Sequence, residues 1–428
     1  MSKYYENADA VVYHGNCLDE LKNLEDNSID AVVTDPPYEL GFMGKKWDNT
    51  GIAYNVDVWR ECLRVLKPGG HLLAFGGTRT WHRLAVAIED AGFEVRDSIA
   101  WIYGSGFPKS HNISKAIDKL HGAEREVVGR NPNSRENATK ANTLYESGTV
   151  GKTDYITEAA TDDAKKWDGW GTALKPAFEP IVVGRKPVVG TVAENVLEFG
   201  TGGLNIDATR IGTETVTINT FDNGAKPFGD AVGEPFTSRE SVGRWPANII
   251  LDETTAELLD KQSGDRKGMA TQKSSALKIY GGNSLNESKT TFPEIRQGFN
   301  DSGGASRFFY VAKANKKDRN EGLDALPDHD WSGDGAAIPE RANRPFIPSK
   351  NHHPTVKPTS LMTYLIKLVT PPNGIVLDPF TGSGSTGKAA IRNGFRFVGI
   401  ELTEEYLPII TTRLDHEIKQ KTEDLFSE

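Results

Sequence analysis

A strand, a glycine-rich loop, a helix and a second strand follow one another near the carboxyl end of this 428-residue chain. Residues 374–377 are apolar, Gly382 and Gly384 lie in the loop after them, and residues 395–400 form the next apolar run, which ends in Glu401. Glycines let a ligand approach the backbone, and the helix that follows presents free N–H donors. An acid about 20 residues beyond the first strand can accept hydrogen bonds from ribose hydroxyls. The unit predicts a βαβ nucleotide-binding site in an α/β sheet.

The loop excludes one known phosphate-binding pattern and leaves another open. Gly387 and Lys388 are followed by Ala389, where a P-loop needs Ser or Thr. Gly382, Gly384 and Gly387 satisfy the spacing Gly-x-Gly-x-x-Gly. The pattern alone therefore fits a dinucleotide as well as another cofactor that contains adenosine.

A second apolar strand pattern, at residues 29–33, ends in a polar turn made of Asp35, Pro36, Pro37 and Tyr38. The exocyclic amine of adenine or cytosine is planar and a poor nucleophile, because its lone pair is delocalised into the ring. The Asp35 carboxylate and the Pro36 carbonyl can each accept a hydrogen bond from that amine, and the prolines stiffen the turn before substrate arrives. Tyr38 can stack on a base swung out of its duplex. The turn predicts a site for methylating a planar amine, although such a turn is also common as plain structure.

Both motifs resemble those of the beta-class DNA amino-methyltransferases. The S-adenosylmethionine motif of that family reads Asp-Pro-Phe-x-Gly-Ser-Gly-x-Thr, as residues 378–386 do, and Asp-Pro-Pro-Tyr precedes it in the chain, as here. The resemblance implies S-adenosylmethionine as the cofactor. The residues implied to bind it are Asp378, Pro379, Phe380, Gly382, Gly384, Thr386 and Glu401, with Thr355, Lys357 and Pro358 beside its methionine part. Segments 170–176 and 178–183 resemble a subgroup frequent in phage and prophage genomes.

The resemblance implies site-specific methylation of N6 of adenine in duplex DNA, by base flipping and direct attack on the methyl group. Asp rather than Ser before Pro-Pro-Tyr favours adenine within the family, and N4 of cytosine stays an alternative because it presents the same amine. An RNA or protein-amide methyltransferase is a further alternative, since a glutamine amide is also planar. A non-catalytic DNA-binding protein is disfavoured because both motifs are intact.

Cysteine use argues against methylation at ring carbon. Methylation at C5 of a pyrimidine needs a thiolate that adds to the ring. Neither Cys17 nor Cys62 lies in a Pro-Cys turn after a strand. Both are predicted to pack as small apolar groups, as suits a reducing cytosol. No Cys/His spacing typical of zinc is present, so no metal is expected.

Charge is distributed unevenly along the chain. The net charge of −9 repels DNA at long range, yet residues 261–319 hold 12 Lys and Arg against 5 Asp and Glu, whereas residues 401–428 hold 3 against 8. Affinity for DNA depends on where the basic side chains lie, and a solvated basic face is the alternative explanation. The candidates for phosphate or base contacts are Arg239, Arg244, Arg266, Lys267, Lys273, Arg296 and Arg307.

Strand and helix patterns alternate along the first half of the chain, which predicts a doubly wound, Rossmann-like α/β sheet. The strands are 29–33, 71–75, 98–103 and 180–183, and the helices lie near 56–66 and 80–91. The resemblance implies a mostly parallel sheet of seven strands with a terminal antiparallel hairpin (98–103 and 179–184) and a circularly permuted motif order. The predicted divisions are a catalytic half (1–110), a polar insertion (111–170), a returning strand of the catalytic sheet (171–186), a target-recognition region (187–345) and a cofactor-binding half (346–428).

Three single features carry further expectations. Asn16 stands where many relatives carry Asp, so it is either a neutral hydrogen-bonding group at the site or a turn residue. Loop 41–48 follows the catalytic turn and contains glycines, which suits a lid or an ordinary surface loop. Trp245 is expected in the core rather than as a wedge between bases.

Double-stranded DNA is the expected partner. No signal peptide and no apolar run near about 18 residues is present, so the protein is expected to be cytoplasmic, in a bacterial cell or a phage-infected host, without a membrane partner. A homodimer is considered as the assembly. The sequence names neither a recognition site nor a partner restriction nuclease.

Overall fold

The computed structural model describes residues 3–41, 46–106, 110–130, 155–221, 236–268, 272–274, 294–296, 301–313, 316–328 and 350–425. The chain forms two compact units. One unit contains Met1–Trp101 and Pro180–Glu428, and the other contains Ile102–Glu179. Of the predicted lid, residues 42–45 lie outside the described residues.

The strands and helices have the following bounds. The strands are β1 (Lys3–Glu6), β2 (Ala10–His14), β3 (Ile29–Thr34), β4 (Leu66–Phe75), β5 (Glu94–Ile102), β6 (Val127–Arg130), β7 (Tyr155–Thr157), β8 (Phe178–Arg185), β9 (Ile211–Phe221), β10 (Phe236–Arg244), β11 (Ile249–Asp252), β12 (Arg266–Lys267), β13 (Gln272–Ser274), β14 (Glu294–Arg296), β15 (Ser302–Gly303), β16 (Tyr310–Ala312), β17 (Ile375–Asp378) and β18 (Arg396–Glu401). The helices are α1 (Cys17–Leu21), α2 (Val56–Val65), α3 (Trp81–Asp90), α4 (Ile113–Leu120), α5 (Asp162–Lys166), α6 (Val192–Phe199), α7 (Glu253–Ser263), α8 (Lys316–Asn320), α9 (Thr359–Val369), α10 (Ser385–Arg392) and α11 (Leu407–Leu425).

Ten strands form the central sheet, in the order β1-β2-β18-β17-β3-β4-β8-β5-β11-β16. Strands β2, β18, β17, β3 and β4 are parallel neighbours, and β8 returns antiparallel to β4. The predicted α/β class, with a mostly parallel sheet closed from two distant parts of the chain, is confirmed. The sheet has three strands more than the seven that the resemblance implies: β1 pairs antiparallel with β2 at one edge, and at the other edge β11 and β16 pair in parallel and continue the sheet beyond β5. Both strands come from the predicted recognition region.

Helices cover both faces of the sheet, as a doubly wound fold requires. On one face α1, α2 and α3 enclose a core that includes Val32, Leu72, Leu377 and Ile400. Each such side chain contributes about 1.5–3 kcal/mol when it leaves water. On the other face α10 packs on β18 and α11, where Gly387 has no room for a side chain: an added Cβ would lie 2.7 Å from Phe397 Cε1. The last glycine of the predicted loop pattern therefore serves helix packing.

The smaller unit contains α4, α5 and a two-stranded sheet of β6 and β7. Its internal contacts centre on the buried Asp118, which accepts hydrogen bonds from Arg125 Nη1 at 2.6 Å, Thr161 Oγ1 at 2.8 Å and Thr161 N at 3.0 Å. Residues 131–154 of the predicted polar insertion lie outside the described residues. Among the helices that the structure describes, none combines the length and apolar character needed to cross a membrane.

Candidate active site

The catalytic turn and the cofactor loop meet because their strands are neighbours. β3 and β17 lie parallel and side by side, with Ala31 opposite Val376 and Val32 opposite Leu377. The carboxyl ends of parallel neighbours open at the same edge of a sheet, which is where α/β proteins bind ligands. Thr34 Oγ1 accordingly donates to Asp378 Oδ1 at 2.6 Å, although the two residues are 344 positions apart.

Asp35 uses one carboxylate oxygen and keeps the other unpaired. Asp35 Oδ2 accepts from Lys357 Nζ at 2.5 Å. Asp35 Oδ1 is buried and accepts no hydrogen bond from any residue that the structure describes. A buried acceptor without a donor is costly, so natural proteins rarely leave one unless a ligand or water completes it. The Asp35 carboxylate therefore presents one oxygen that is ready to accept.

The backbone after the two prolines is held in place by the segment between β4 and α3. The Tyr38 carbonyl accepts from Thr80 Oγ1 at 2.9 Å. The Tyr38 ring lies close to Gly77, where an added Cβ would be 3.2 Å from Tyr38 Cδ2. Pro36 and Pro37 restrict the chain between this anchor and the end of β3. The turn is thus fixed on both sides.

Asp378 organises the start of the cofactor loop. Its carboxylate is buried and accepts from Thr34 Oγ1, from Thr386 Oγ1 at 2.6 Å and from Phe380 N at 3.1 Å. Burial raises the pKa of Asp378 to about 6; the hydrogen bonds oppose this shift, and the negative charge of Asp35 adds to it. Pro379 is buried beside it, and the Phe380 ring lies 6.2 Å from the ring of Trp59. Asp378 therefore ties the loop to both the catalytic strand and α10.

Glu401 closes the other side of the loop from the end of β18. Its carboxylate accepts from Gly382 N and from Thr403 N, each at 2.7 Å. Burial raises the pKa of Glu401 to about 7, against the lowering effect of these hydrogen bonds. Gly382 and Gly384 have φ of 54° and 76°, which residues with a side chain rarely adopt. The two glycines allow the turn that brings the loop to Glu401.

Segment 353–358 connects the two halves of the site. Thr355 N donates to His353 Nδ1 at 3.3 Å, and Pro358 directly precedes α9. Burial lowers the pKa of His353 to about 3, so its imidazole is neutral in the physiological range. The ring packs edge-on against Tyr406 at 4.6 Å between centroids. Thr355 itself is exposed, whereas Lys357 extends to the catalytic turn.

Two contacts of the candidate site have no signal in the sequence. Lys357 was assigned to the cofactor by resemblance, and the structure pairs it with Asp35. Arg413 was not assigned at all; it is fully buried, and its Nη1 donates to the Ser383 carbonyl of the cofactor loop at 2.6 Å. Arg413 Nη2 donates to the Asp318 carbonyl at 2.9 Å. A single arginine within a long amphipathic helix gives no sequence signal for such a contact.

Asn16 caps α1, and its side chain accepts from Leu18 N at 3.0 Å.

Among the residues that can be described, no group of three or more His, Cys, Asp or Glu is arranged to hold a metal ion. Both cysteines are buried, and burial raises the pKa of Cys17 to about 12. A thiol with such a pKa is not a nucleophile at neutral pH.

The basic candidates separate into internal and exposed residues. Arg244 and Arg307 both pair with the buried Asp301 carboxylate, and their guanidinium groups lie over the Phe308 ring at 5.1 and 4.4 Å. Arg266 and Lys267 are exposed in β12. Arg239, Lys273 and Arg296 belong to β10, β13 and β14, and their side chains lie outside the described residues.

The expectation that Trp245 lies in the core is wrong. Its side chain is 64% exposed, and the Arg210 guanidinium lies 5.8 Å from the centre of its ring. Trp245 directly follows the two-stranded sheet of β9 and β10, which is separate from the central sheet and its core. The indole is therefore at the surface.

The fold and the site together define an α/β protein. A glycine-rich loop of the kind that binds nucleotide cofactors and an acidic prolyl turn lie side by side at the carboxyl ends of two neighbouring parallel strands. The family model described as DNA methylase (N6_N4_Mtase) matches residues 29–186 and 251–412, which is more than half of the chain. The chain belongs to this family. The family predicted from the two motifs is confirmed, and the phage-like subgroup stays a prediction.

Individual relatives resemble parts or most of the chain. It is 43% identical over 74 residues to DNA adenine methyltransferase YhdJ of Escherichia coli K12, a match over 17% of this chain and 25% of YhdJ. It is 24% identical over 296 residues to Type II methyltransferase M.HindIII of Haemophilus influenzae, over 58% of this chain and 81% of M.HindIII. Two further relatives are matched over only 24% and 35% of their own length. The solved M1.HpyAVI-SAM complex is 15% identical with a TM-score of 0.35, covering 95% of this chain and 99% of that one, which adds nothing to the family match.

Proposed function

We propose that this protein transfers a methyl group from S-adenosylmethionine to the exocyclic N6 of adenine in double-stranded DNA. The observation that carries the proposal is the buried Asp35 Oδ1, which accepts no hydrogen bond from the described part of the chain and lies at the same sheet edge as the cofactor loop. A planar amine that donates one N–H to this oxygen and one to the Pro36 carbonyl would gain two acceptors. Both bonds favour a pyramidal nitrogen with its lone pair free for attack.

The residues of the loop fit the proposed cofactor. Glu401 supplies acceptor oxygens for ribose hydroxyls at the end of β18, and the glycines at 382 and 384 bring backbone close to a ligand. Asp378 and Thr386 hold the loop in shape. When bound, the cofactor would supply an electrophilic methyl group, which would exchange its bond to sulfur for a bond to the amine nitrogen, with the sulfur leaving as a neutral thioether and one proton going to water. No covalent enzyme intermediate is needed.

Tyr38 gives the flipped base a stacking surface. Its ring centre lies 5.5 Å from the Lys357 ammonium nitrogen that pairs with Asp35, and base–aromatic stacking contributes about 1–3 kcal/mol per base. That amount offsets part of the few kcal/mol needed to unstack and unpair a nucleotide. The adenine assignment rests on Asp before Pro-Pro-Tyr and on the partial similarity to a relative named as an adenine methyltransferase.

The decisive test identifies the modified nucleoside. Duplexes of defined sequence are incubated with the protein and labelled S-adenosylmethionine, digested and analysed by mass spectrometry. We expect N6-methyl-2′-deoxyadenosine; the appearance of N4-methyl-2′-deoxycytidine alone would replace the adenine assignment. Transfer to RNA or to a protein amide, with none to DNA, would overturn the proposal as a whole.

Region 187–345 is the proposed target-recognition region, with Arg266 and Lys267 as its exposed cationic contacts. Replacing both by Ala should weaken DNA binding at every sequence and flatten the slope of log K against log salt by about 2, because each phosphate contact contributes about 0.9. Fluorescence anisotropy at several salt concentrations measures both quantities. The matched control replaces Lys22 and Arg60, which are also exposed and change the net charge equally. An equal loss in both double variants would show that only overall charge matters.

The proposed partner is duplex DNA, and a homodimer is the proposed assembly. The cytoplasm of a bacterial cell or phage-infected host is the proposed location, because S-adenosylmethionine and DNA occur together there.

A further inference from the structure

We propose that Lys357 is a positioning residue that fixes the Asp35 carboxylate and selects which of its oxygens receives the target amine. The inference rests on the proposed function. It gives Lys357 a role at the catalytic turn, whereas the family resemblance implies that this residue contacts the cofactor. The contacts of the ammonium group carry it. Lys357 Nζ lies 2.5 Å from Asp35 Oδ2 and 3.4 Å from Tyr38 Oη, and the side chain is almost fully buried.

The need for such a residue follows from the freedom of a carboxylate. The torsion that rotates a carboxylate about its last bond is broad and nearly two-fold, so an unrestrained Asp exchanges its two oxygens easily. A charge-assisted hydrogen bond to one oxygen removes that freedom. With Oδ2 occupied by Lys357, Oδ1 is the oxygen left to accept, and it is the buried atom without a donor among the described residues.

Two aromatic rings also lie close to the ammonium group of Lys357. Its nitrogen lies 5.0 Å from the centre of the Phe75 ring and 5.5 Å from that of Tyr38, both within cation–π range. Phe75 ends β4, and the prolyl turn follows β3, so Lys357 contacts the ends of two adjacent strands from the segment before α9. The same ammonium group thereby sets the relation between the stacking ring of Tyr38 and the acceptor of Asp35.

Stability alone does not account for this ion pair. Buried ion pairs contribute little net stability compared with apolar groups of the same volume, because both charges lose their hydration. The gain here is geometric: an acceptor misplaced by about 1 Å can cost about 10²-fold in rate. Lys357 would therefore act on the rate of the chemical step and much less on the binding of either substrate.

The experiment compares Lys357→Met, which keeps the length of the apolar stem, with Lys357→Arg, which keeps the cation. We expect kcat to fall on the order of 10²-fold in Lys357→Met, with KM for DNA and the dissociation constant of S-adenosylmethionine changed by less than about 3-fold. Lys357→Arg should recover a substantial part of the lost rate. Calorimetry measures cofactor binding, and single-turnover methylation of a defined duplex measures the chemical step.

The matched control is Lys67→Met. Lys67 forms a 2.6 Å ion pair with the buried Asp30 at the opposite end of β3, so its loss should lower stability and leave kcat unchanged. Wild-type kcat in Lys357→Met, or a loss that lies mainly in cofactor affinity, would overturn the positioning role while the proposed function stands. If Lys357→Met does not fold, Lys357→Arg decides: a rate as low as that of Asp35→Ala would overturn the inference. Failure of the wild-type protein to methylate DNA would refute the proposed function, and this inference with it.

Discussion

Replacing Asp35 by Asn should lower kcat for methyl transfer on the order of 10³-fold, within the range for loss of a positioned catalytic group. The substitution keeps the shape of the side chain, but Lys357 Nζ would attract the amide oxygen because it donates at 2.5 Å to that position. The amide NH₂ would then face the incoming amine, so a donor would oppose a donor. Single-turnover methylation of a defined duplex measures the loss.

The control for Asp35→Asn lies on the same strand. Asp30 at the start of β3 also pairs with a lysine, Lys67, and accepts from Ile375 N at 2.7 Å. Asp30→Asn should therefore reduce the melting temperature without reducing kcat. Cofactor binding to Asp35→Asn, measured by calorimetry, should stay near the wild-type value and show that the variant is folded. Full methyl transfer by Asp35→Asn would disprove the role assigned to the turn.

Replacing Glu401 by Gln should weaken S-adenosylmethionine binding on the order of 10²-fold. Hydrogen bonds to a charged group contribute about 1.5–3 kcal/mol each, and two ribose hydroxyls would lose that partner. The amide NH₂ would also face one of the two backbone N–H groups, Gly382 N or Thr403 N, from which the carboxylate now accepts hydrogen bonds. Calorimetry at pH 8, where Glu401 is ionised, gives the dissociation constant directly.

The pH dependence of cofactor binding provides a second readout for Glu401. Because burial raises its pKa to about 7, the carboxylate is largely protonated at pH 6 and ionised at pH 8. An ionised oxygen is the stronger acceptor, so wild-type affinity should rise with pH across this window and the variant should lose that rise. Glu405→Gln, an exposed neighbour, serves as the control. Unchanged affinity and pH dependence in Glu401→Gln would exclude the ribose contact.

Local motifs contained most of the information about the chemistry of this chain. The strand patterns at 29–33 and 375–377, the prolyl turn and the glycine loop each depend on residues close in sequence, and the structure has strands where these patterns predict them. Backbone conformation at such positions follows from short-range sterics, as at Gly382 and Gly384. The βαβ unit and the α/β class could be recognised for this reason.

Long-range contacts were not accessible in the same way. Arg244 and Arg307 look like two more basic residues in a basic segment, and only the folded chain pairs both with Asp301. Trp245 looks like a core residue, yet the sheet of β9 and β10 leaves it at the surface. Burial and pairing depend on which distant segment arrives at a position, and no local pattern contains that information.

The sequence by itself determined the two chemical half-sites, since an acceptor turn and a cofactor loop are each built from consecutive residues. Only the tertiary structure decided how the half-sites are joined. The parallel pairing of β3 with β17 places Thr34 against Asp378, and α9 begins where Lys357 can extend to Asp35. These contacts span more than 300 positions of the chain, and the packing of the sheet brings them together.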